Sequence, residues 1–318
     1  MRAVTIQEGG RLVLADRPDP EPGDGELLVA VRAAGLNAAD LLQRAGHYPP
    51  PPGVPADVPG LELAGEVLAV GRAVRRFRPG DRVMALVGGG AQAELALVDE
   101  RAALPLPEGV DWPVAGGLPE ALCTAHDALF SRCRLAMGER VLVTGAAGGV
   151  GCVAVQLAAL AGAEVVASAR NPDTHGTLRS LGAALAATPE EALAAGPFDV
   201  VLELVGAPSL AGALGALAVG GRAIVIGLGA GQHLDLDLRV LLAKRAQLAG
   251  ATLRARSPEE KGAVVAAAGQ AALGHLRAGR LQVPVLATYP LAEAEAAYER
   301  FAAGGKLGKI VLLGPGAG

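Results

Sequence analysis

The stretch Val141–Gln156, V-L-V-T-G-A-A-G-G-V-G-C-V-A-V-Q, runs from a β-branched and leucine segment through a glycine-rich turn into an apolar helical pattern. Strand, turn and helix in that order are the context in which a dinucleotide fingerprint carries meaning. The spacing Ala146-x-Gly148-x-x-Gly151 is G-x-G-x-x-G with alanine in the first place. Gly148 and Gly149 let the backbone approach a pyrophosphate, and Gly151 lets the helix lie close on its strand. The free N–H groups of the helix start then face the anion, which makes Ala146, Ala147, Gly148, Gly149 and Val150 candidate cofactor contacts. The plainer alternative is a tight strand-to-helix connection in an alanine- and glycine-rich chain.

The pattern on the carboxyl side argues for the fingerprint. Strands are predicted at Glu164–Ser168, Phe198–Leu204, Arg222–Ile226 and Leu248–Thr252, with helices over Thr174–Leu181 and near Pro208–Leu217. Such alternation predicts an α/β fold with a doubly wound parallel sheet whose ligand crevice lies at the carboxyl ends of the strands. Gly206 and Gly227-Leu228-Gly229 follow two of those ends. Ser257-Pro258 starts a helix that is predicted to reach Gly279, with serine as cap and proline at the first helical position. A strand at Val283–Thr288, a helix at Leu291–Ala303 and a strand at Lys309–Leu313 follow. In that helix Leu291, Ala294, Tyr298 and Phe301 share one face, so Tyr298 reads as core.

The amino-terminal third reads as β structure. Leu27, Val29 and Val31 alternate, and further strands are predicted at Glu66–Val70, Arg82–Val87 and Gln92–Val98, separated by Gly71, Pro79-Gly80-Asp81 and Gly88-Gly89-Gly90. Short strands with turn signals between them suggest a barrel-like domain, to which the last two strands return. The run His47–Gly53, H-Y-P-P-P-P-G, admits no helix and predicts an ordered exposed loop, either a rigid spacer or a wall of a binding cleft.

Composition narrows the function classes. The 318 residues suffice for two domains, and although 51% are apolar, polar residues such as Gln156 and Glu164 interrupt every run before it reaches membrane-spanning length. The start M-R-A-V-T-I-Q-E-G-G lacks a signal-peptide pattern, so a cytoplasmic location and no membrane partner are expected. A net charge of −4 without a basic cluster predicts no nucleic-acid surface. Cys123, Cys133 and Cys152 form no C-x-x-C pair, so neither a disulfide framework nor a metal site is expected.

Several segments together carry a family resemblance: G-L-N-A-A-D-L-L-Q-R-A-G-H-Y-P-P-P-P-G (Gly35–Gly53), G-L-E-L-A-G-E-V (Gly60–Val67), L-P-E-A-L-C-T-A (Leu118–Ala125), the fingerprint, T-L-R-A-R-S-P-E-E-K (Thr252–Lys261) and G-K-I-V-L (Gly308–Leu312). In this order, over essentially the whole chain, they resemble the NADPH:quinone oxidoreductases of the zinc-free branch of the medium-chain dehydrogenase/reductases, which includes zeta-crystallin. The resemblance implies a GroES-like β-barrel catalytic domain from residues 1–117 with 280–318 and a Rossmann NADP-binding domain from 118–279. It implies that Asn37, Tyr48 and Thr124 line the nicotinamide and acceptor pocket, and it adds Val205, Gly206, Gly227, Leu228, Leu253 and Lys309 to the cofactor contacts. It also implies a homodimer paired near Leu248–Thr252. Plainer roles stay open for the pocket residues: Asn37 in a turn, Tyr48 in loop packing, Thr124 as a hydroxyl inside a helix.

Departures from the zinc-dependent branch sharpen the chemistry. Where those enzymes resemble G-H-E this chain has Gly60-Leu61-Glu62, and Asn37 stands where their first catalytic cysteine would fall. Leu61 cannot bind a metal, so alcohol dehydrogenation is disfavoured and a conjugated acceptor, a quinone or an enone, is expected. At the end of the second Rossmann strand, V-V-A-S-A-R-N offers Ser168, Ala169 and Arg170 in place of the acidic residue that binds NAD ribose hydroxyls, so the expected cofactor is NADPH. The bland alternative for Arg170 is a solvated loop side chain. The family's lysine and tyrosine farther on are replaced here by Thr174-His175 and Ala187-Thr188. The expected activity is NADPH-dependent quinone reduction; the alternatives are an NADPH-dependent enone or enoyl reductase and, more distantly, a non-catalytic NADPH-sensing or RNA-binding protein, against which the acidic balance counts.

Overall fold

The alternating apolar residues of the amino-terminal third become strands β1 (Arg2–Ile6), β2 (Leu12–Asp16), β3 (Glu26–Gly35), β4 (Glu62–Val70), β5 (Arg82–Leu86), β6 (Leu95–Asp99) and β7 (Ala103–Pro105) in the computed structural model, which describes residues 1–317. β3 organises this unit. Its Leu27, Val29 and Val31 point into one core with Leu63, Val67, Val83 and Val98. Along its first half β3 pairs antiparallel with both β4 and β6, and β4 continues through β5 to β7.

The next six strands, β8 (Arg140–Val143), β9 (Glu164–Ser168), β10 (Leu185–Ala187), β11 (Phe198–Glu203), β12 (Leu217–Val225) and β13 (Gln247–Gly250), form one sheet in the order β10-β9-β8-β11-β12-β13. Every pairing in it is parallel. Strands covered on both faces read as unbroken apolar runs, as Val141–Val143 and Val165–Ala167 do, all fully buried. The sheet grows outward from β8 to β10, then returns to β11 and grows the other way. The switch point therefore falls between β8 and β11, where a doubly wound sheet opens its ligand crevice. β13 forms the outer edge, with all four residues exposed.

The last strands, β14 (Val285–Pro290) and β15 (Lys309–Leu313), are parallel to each other, and β15 lies antiparallel on β3 with Val311 opposite Gly35. The helix between them, Ala294–Ala302, buries Tyr298, whose hydroxyl donates to Gln92 Oε1 at 2.9 Å. No helix among the described residues is long and apolar enough to cross a membrane.

The compact units are Met1–Cys123 together with the chain from Leu253 onward, and Thr124–Thr252. The expected boundary at Gly279 is thereby moved, because the helix Pro258–Arg277 packs on the first unit: a Cβ added at Gly262 would sit 2.7 Å from Arg101 Cβ, and one at Gly269 2.5 Å from Leu104 Cδ2. A helical glycine pattern does not announce which surface it fits. The expected boundary at 118 likewise moves into the Pro119–His126 helix. Elements absent from the sequence prediction are short ones: β1, β2, β7, β10 and the helices Ala38–Arg44, Trp112–Gly116, Pro119–His126, Pro189–Ala194 and Arg239–Lys244. β12 begins at Leu217 and passes through Gly220-Gly221, a pair that reads locally as a turn.

Candidate active site

In the second unit the fingerprint lies directly after β8. Gly145, with φ +59°, makes the turn, so the alanine in the first place of the spacing is not asked for a glycine conformation. Ala146 is fully buried, and its N–H donates to Ser168 O at 3.0 Å, tying the turn to the end of β9. Ala147, Gly148, Gly149 and Val150 follow, half-buried, with Gly148 as N-cap of the helix Gly149–Leu160. The first-turn N–H groups of this helix have no acceptor within it and carry the positive end of its dipole, the arrangement an anion requires. Gly151 meets its expected demand, since a Cβ there would lie 2.6 Å from both Cα and O of Ala146.

Ser168 and Ala169 are buried at the end of β9, and Arg170 is exposed. His175, four residues on from Asn171, donates from Nε2 to Ala169 O at 2.9 Å and closes this loop. Beyond β11 stands a residue that motif reading passed over. Glu203 is fully buried, and its Oε1 accepts from Val205 N–H (2.7 Å), Gly206 N–H (2.9 Å) and the Thr144 hydroxyl (2.9 Å). One carboxylate oxygen thus fastens the loop after β11 to the end of β8. Gly206, at φ +126°, and Gly227 are required where they stand: added Cβ atoms would lie 2.6 Å from Gly231 O and 2.1 Å from Leu204 O. Val205 O accepts from Ala230 N–H, so the loops bearing Val205–Gly206 and Gly227–Leu228 are joined, with Leu228 half exposed. These residues fit a nicotinamide dinucleotide: bare backbone at Gly148, Gly149, Gly206 and Gly227 by the switch point, and first-turn N–H groups that the helix leaves without an acceptor. Thr124 is buried in the Pro119–His126 helix.

In the first unit Asn37 precedes the helix Ala38–Arg44, its N–H donating to Asp40 Oδ2 at 2.8 Å. Its side-chain amide is held on both sides. Nδ2 donates to Glu62 Oε1 (2.9 Å), and Oδ1 accepts from Lys309 Nζ (2.7 Å). Lys309 also donates to Leu36 O (2.9 Å) and to Glu62 Oε1 (2.5 Å), which uses all three ammonium protons. Besides the cofactor contact expected of it, Lys309 has a role within the protein: its ammonium neutralises buried Glu62 and positions Asn37. Glu62 Oε2 accepts from Glu120 N–H at 2.9 Å, and Gly35 leaves room for this carboxylate, where a Cβ would come within 2.3 Å. Asp40, completely buried beside the cluster, has its carboxyl pushed up to about 6 by burial, while hydrogen bonds from Asn37 and Gly60 N–H and the charge of Lys309 pull the other way. Leu61 is buried next to Glu62.

Tyr48 is half-buried, and its carbonyl accepts from Arg254 Nη1 at 2.6 Å. The guanidinium carbon lies 4.8 Å from the Tyr48 ring centroid. Arg254 donates further to Gly88 O (2.8 Å) and Gln43 Oε1 (2.5 Å). Leu253, beside it, is buried. The structure brings Asn37 together with Lys309, and Tyr48 with Arg254. The only sign of Arg254 in the sequence was its place in the T-L-R-A-R run.

Residues 23–108 match the alcohol dehydrogenase GroES-like domain, and residues 149–268 match the domain described as zinc-binding dehydrogenase. The chain is 34% identical to quinone oxidoreductase of Rattus norvegicus, over 98% of either protein. This chain belongs to the medium-chain dehydrogenase/reductase family. Like other medium-chain dehydrogenase/reductases it is an oxidoreductase with a nicotinamide-dinucleotide fold. This dehydrogenase/reductase is also 35% identical to a mycocerosic acid synthase-like polyketide synthase of Mycobacterium tuberculosis, over 93% of its own length and 14% of that protein. A mycobacterial protein solved in complex with NADPH matches its fold with a TM-score of 0.87 at 27% identity, covering 98% of this chain and all (100%) of the other.

Proposed function

We propose that this protein reduces small quinones with NADPH, by hydride transfer and without a metal ion. The observation that carries the reading is the buried cluster of Lys309, Glu62 and Asn37 beside Leu61: a protein ammonium sits on the glutamate and on the Asn37 amide oxygen, and Leu61 has no ligand atom to offer a metal that would polarise an alcohol or carbonyl. The acceptor must then be activated by its own conjugation. Bound at the fingerprint, the nicotinamide dinucleotide supplies the hydride chemistry. The chain's residues bind and orient: the first-turn N–H groups of Gly149–Leu160 take the pyrophosphate, Asn37 presents an amide already fixed by Lys309 and Glu62, Thr124 offers a hydroxyl, and the Tyr48 ring gives a flat face to a planar acceptor.

Cofactor choice rests on Arg170, exposed just after β9 and two positions from Ser168, in a strand end, Ser168-Ala169-Arg170, that holds no acidic residue. Arg170→Ala should weaken NADPH binding by roughly 1.5–3 kcal/mol, the range of a hydrogen bond to a charged group, and leave NADH nearly unchanged. Equal losses for both cofactors in a titration would overturn the assignment.

The reaction itself is tested with chelator-treated protein, first sized by light scattering, where a homodimer joined along the exposed edge of β13 is expected. NADPH oxidation is then compared with 1,2-naphthoquinone, 1,4-benzoquinone, an alkenal and crotonyl-CoA. Quinones should be fastest. Tyr48→Ala should lower kcat/KM for the quinone about tenfold, corresponding to loss of ~1–2 kcal/mol of stacking and hydrogen bonding, with NADPH affinity falling less. The second reading, reduction of an enone or enoyl thioester, is supported by the likeness to part of a polyketide synthase. Rates with the alkenal or crotonyl-CoA far above those with any quinone would put it in place of the first.

A further inference from the structure

We infer that Arg254 is a positioning residue of the acceptor site, a latch that holds the proline-rich loop on the glycine run so that Tyr48 keeps one orientation. The loop His47–Gly53 cannot tie itself down. Pro49, Pro50, Pro51 and Pro52 carry no N–H, and at its ends His47 N–H donates to Leu42 O (2.8 Å) and Val54 N–H to Pro51 O (3.3 Å). Its stability has to come from a surface to rest on and from an outside donor.

Both are present. Gly88 and Gly89 form the seat: a Cβ at Gly88 would lie 3.1 Å from Pro51 Cγ and 3.2 Å from Val54 Cγ2, and one at Gly89 2.7 Å from Val54 Cγ1. Only bare backbone lets the loop settle this closely. The donor is Arg254, whose three hydrogen bonds reach the carbonyl of Tyr48 in the loop, the carbonyl of Gly88 in the seat, and Gln43 on the helix before the loop. Its planar fork can serve three acceptors from one rigid group while lying against the Tyr48 ring, a geometry that lysine lacks. Arg254 is 6% exposed, and the three bonds described here all go to neutral acceptors, with the guanidinium carbon 4.8 Å from the centre of the Tyr48 ring. Burying a guanidinium on these terms is costly and calls for a task beyond packing. Three sequence features without a common explanation, the H-Y-P-P-P-P-G loop, the Gly88–Gly90 run and the T-L-R-A-R segment, become one device.

The consequence for turnover rests on the reading in which Tyr48 meets the acceptor; the latch itself does not. The test therefore has two readouts on the intact protein: hydrogen exchange of the His47, Tyr48, Gly53 and Val54 amides, and a kinetic double-mutant cycle between Arg254→Met and Tyr48→Ala with 1,2-naphthoquinone. Arg254→Met should speed exchange of those amides, raise the quinone KM about tenfold and leave the NADPH dissociation constant within about twofold. In the Tyr48→Ala background the same change should add less than about twofold, because the two residues act as one unit. Arg254→Lys keeps the buried charge, guards against misfolding of the methionine variant, and should still exchange faster than the parent. Unchanged exchange in both variants, or fully additive losses where Tyr48→Ala is itself impaired, would overturn the latch. Faster exchange with a kinetically silent Tyr48→Ala would instead leave the latch standing and remove Tyr48 from the acceptor site.

Discussion

Lys309→Met is expected to lower folding stability by about 3–5 kcal/mol, the cost of breaking a buried ion pair from one side. Glu62 is fully buried and Lys309 nearly so, and the ammonium is shared among Glu62, Asn37 Oδ1 and Leu36 O. Removing it strips three acceptors of a charged donor at once and leaves the carboxylate with Asn37 Nδ2–H and Glu120 N–H among the described residues. The denaturant midpoint checks the size of the effect. The informative control is Lys309→Met combined with Glu62→Gln, which removes both charges and should recover most of the loss, since a neutral replacement of the whole pair carries little penalty. A double variant no more stable than Lys309→Met would mean that side-chain packing, rather than the unpaired charge, set the cost. The same substitution frees Asn37 from one of its two anchors, so quinone turnover should fall further than stability at the assay temperature explains.

Gly151→Val is expected to weaken NADPH binding by roughly 10- to 100-fold, from an overpacking strain of about 1–3 kcal/mol at the fingerprint. The added atoms meet backbone: Cα, C and O of Ala146 all lie within 2.7 Å of the position a Cβ would take. No rotamer relieves that clash, so the helix Gly149–Leu160 has to lift away from the turn after β8 and carry its first-turn N–H groups with it. On the proposed reading those groups bind the pyrophosphate, and they act only when held together. Gly215→Ala supplies the comparison, an exposed helical glycine with nothing within 4 Å of the new Cβ, and should leave binding unchanged. Calorimetric titration of both variants decides. Tight NADPH binding by Gly151→Val would show that helix and turn can separate without loss of the site.

The parts of this protein that its sequence determined by itself are those written in a local period. Val141–Val143 followed by glycines at fixed spacing predicted a strand, a turn and a helix, and β8 and Gly149–Leu160 stand there. β9 and β15 begin and end at the predicted residues, and Tyr298 occupies the core face assigned to it. Apolar periodicity is legible because burial repeats with the backbone geometry, every second residue in β3 and every third or fourth in the Ala294–Ala302 helix. Even the alanine in the fingerprint was harmless for a local reason, the turn being made one residue earlier at Gly145.

What tertiary structure alone decided is which polar groups meet. Glu62 and Lys309 are 247 positions apart, Tyr48 and Arg254 206, and Thr144 and Glu203 59. No period connects such residues: each pairing follows from strand register and from which surfaces close on one another. Lys309 faces Asn37 because β15 lies on β3 with Val311 opposite Gly35, and Glu203 reaches Thr144 because β11 lies beside β8. The partner of the Pro258–Arg277 helix was hidden for the same reason, its glycines fitting Arg101 and Leu104 by shape. A buried charge is tolerated only where the completed fold brings it partners, so Lys309, Glu62 and Arg254, whose partners no local pattern names, acquire them when distant segments are brought together.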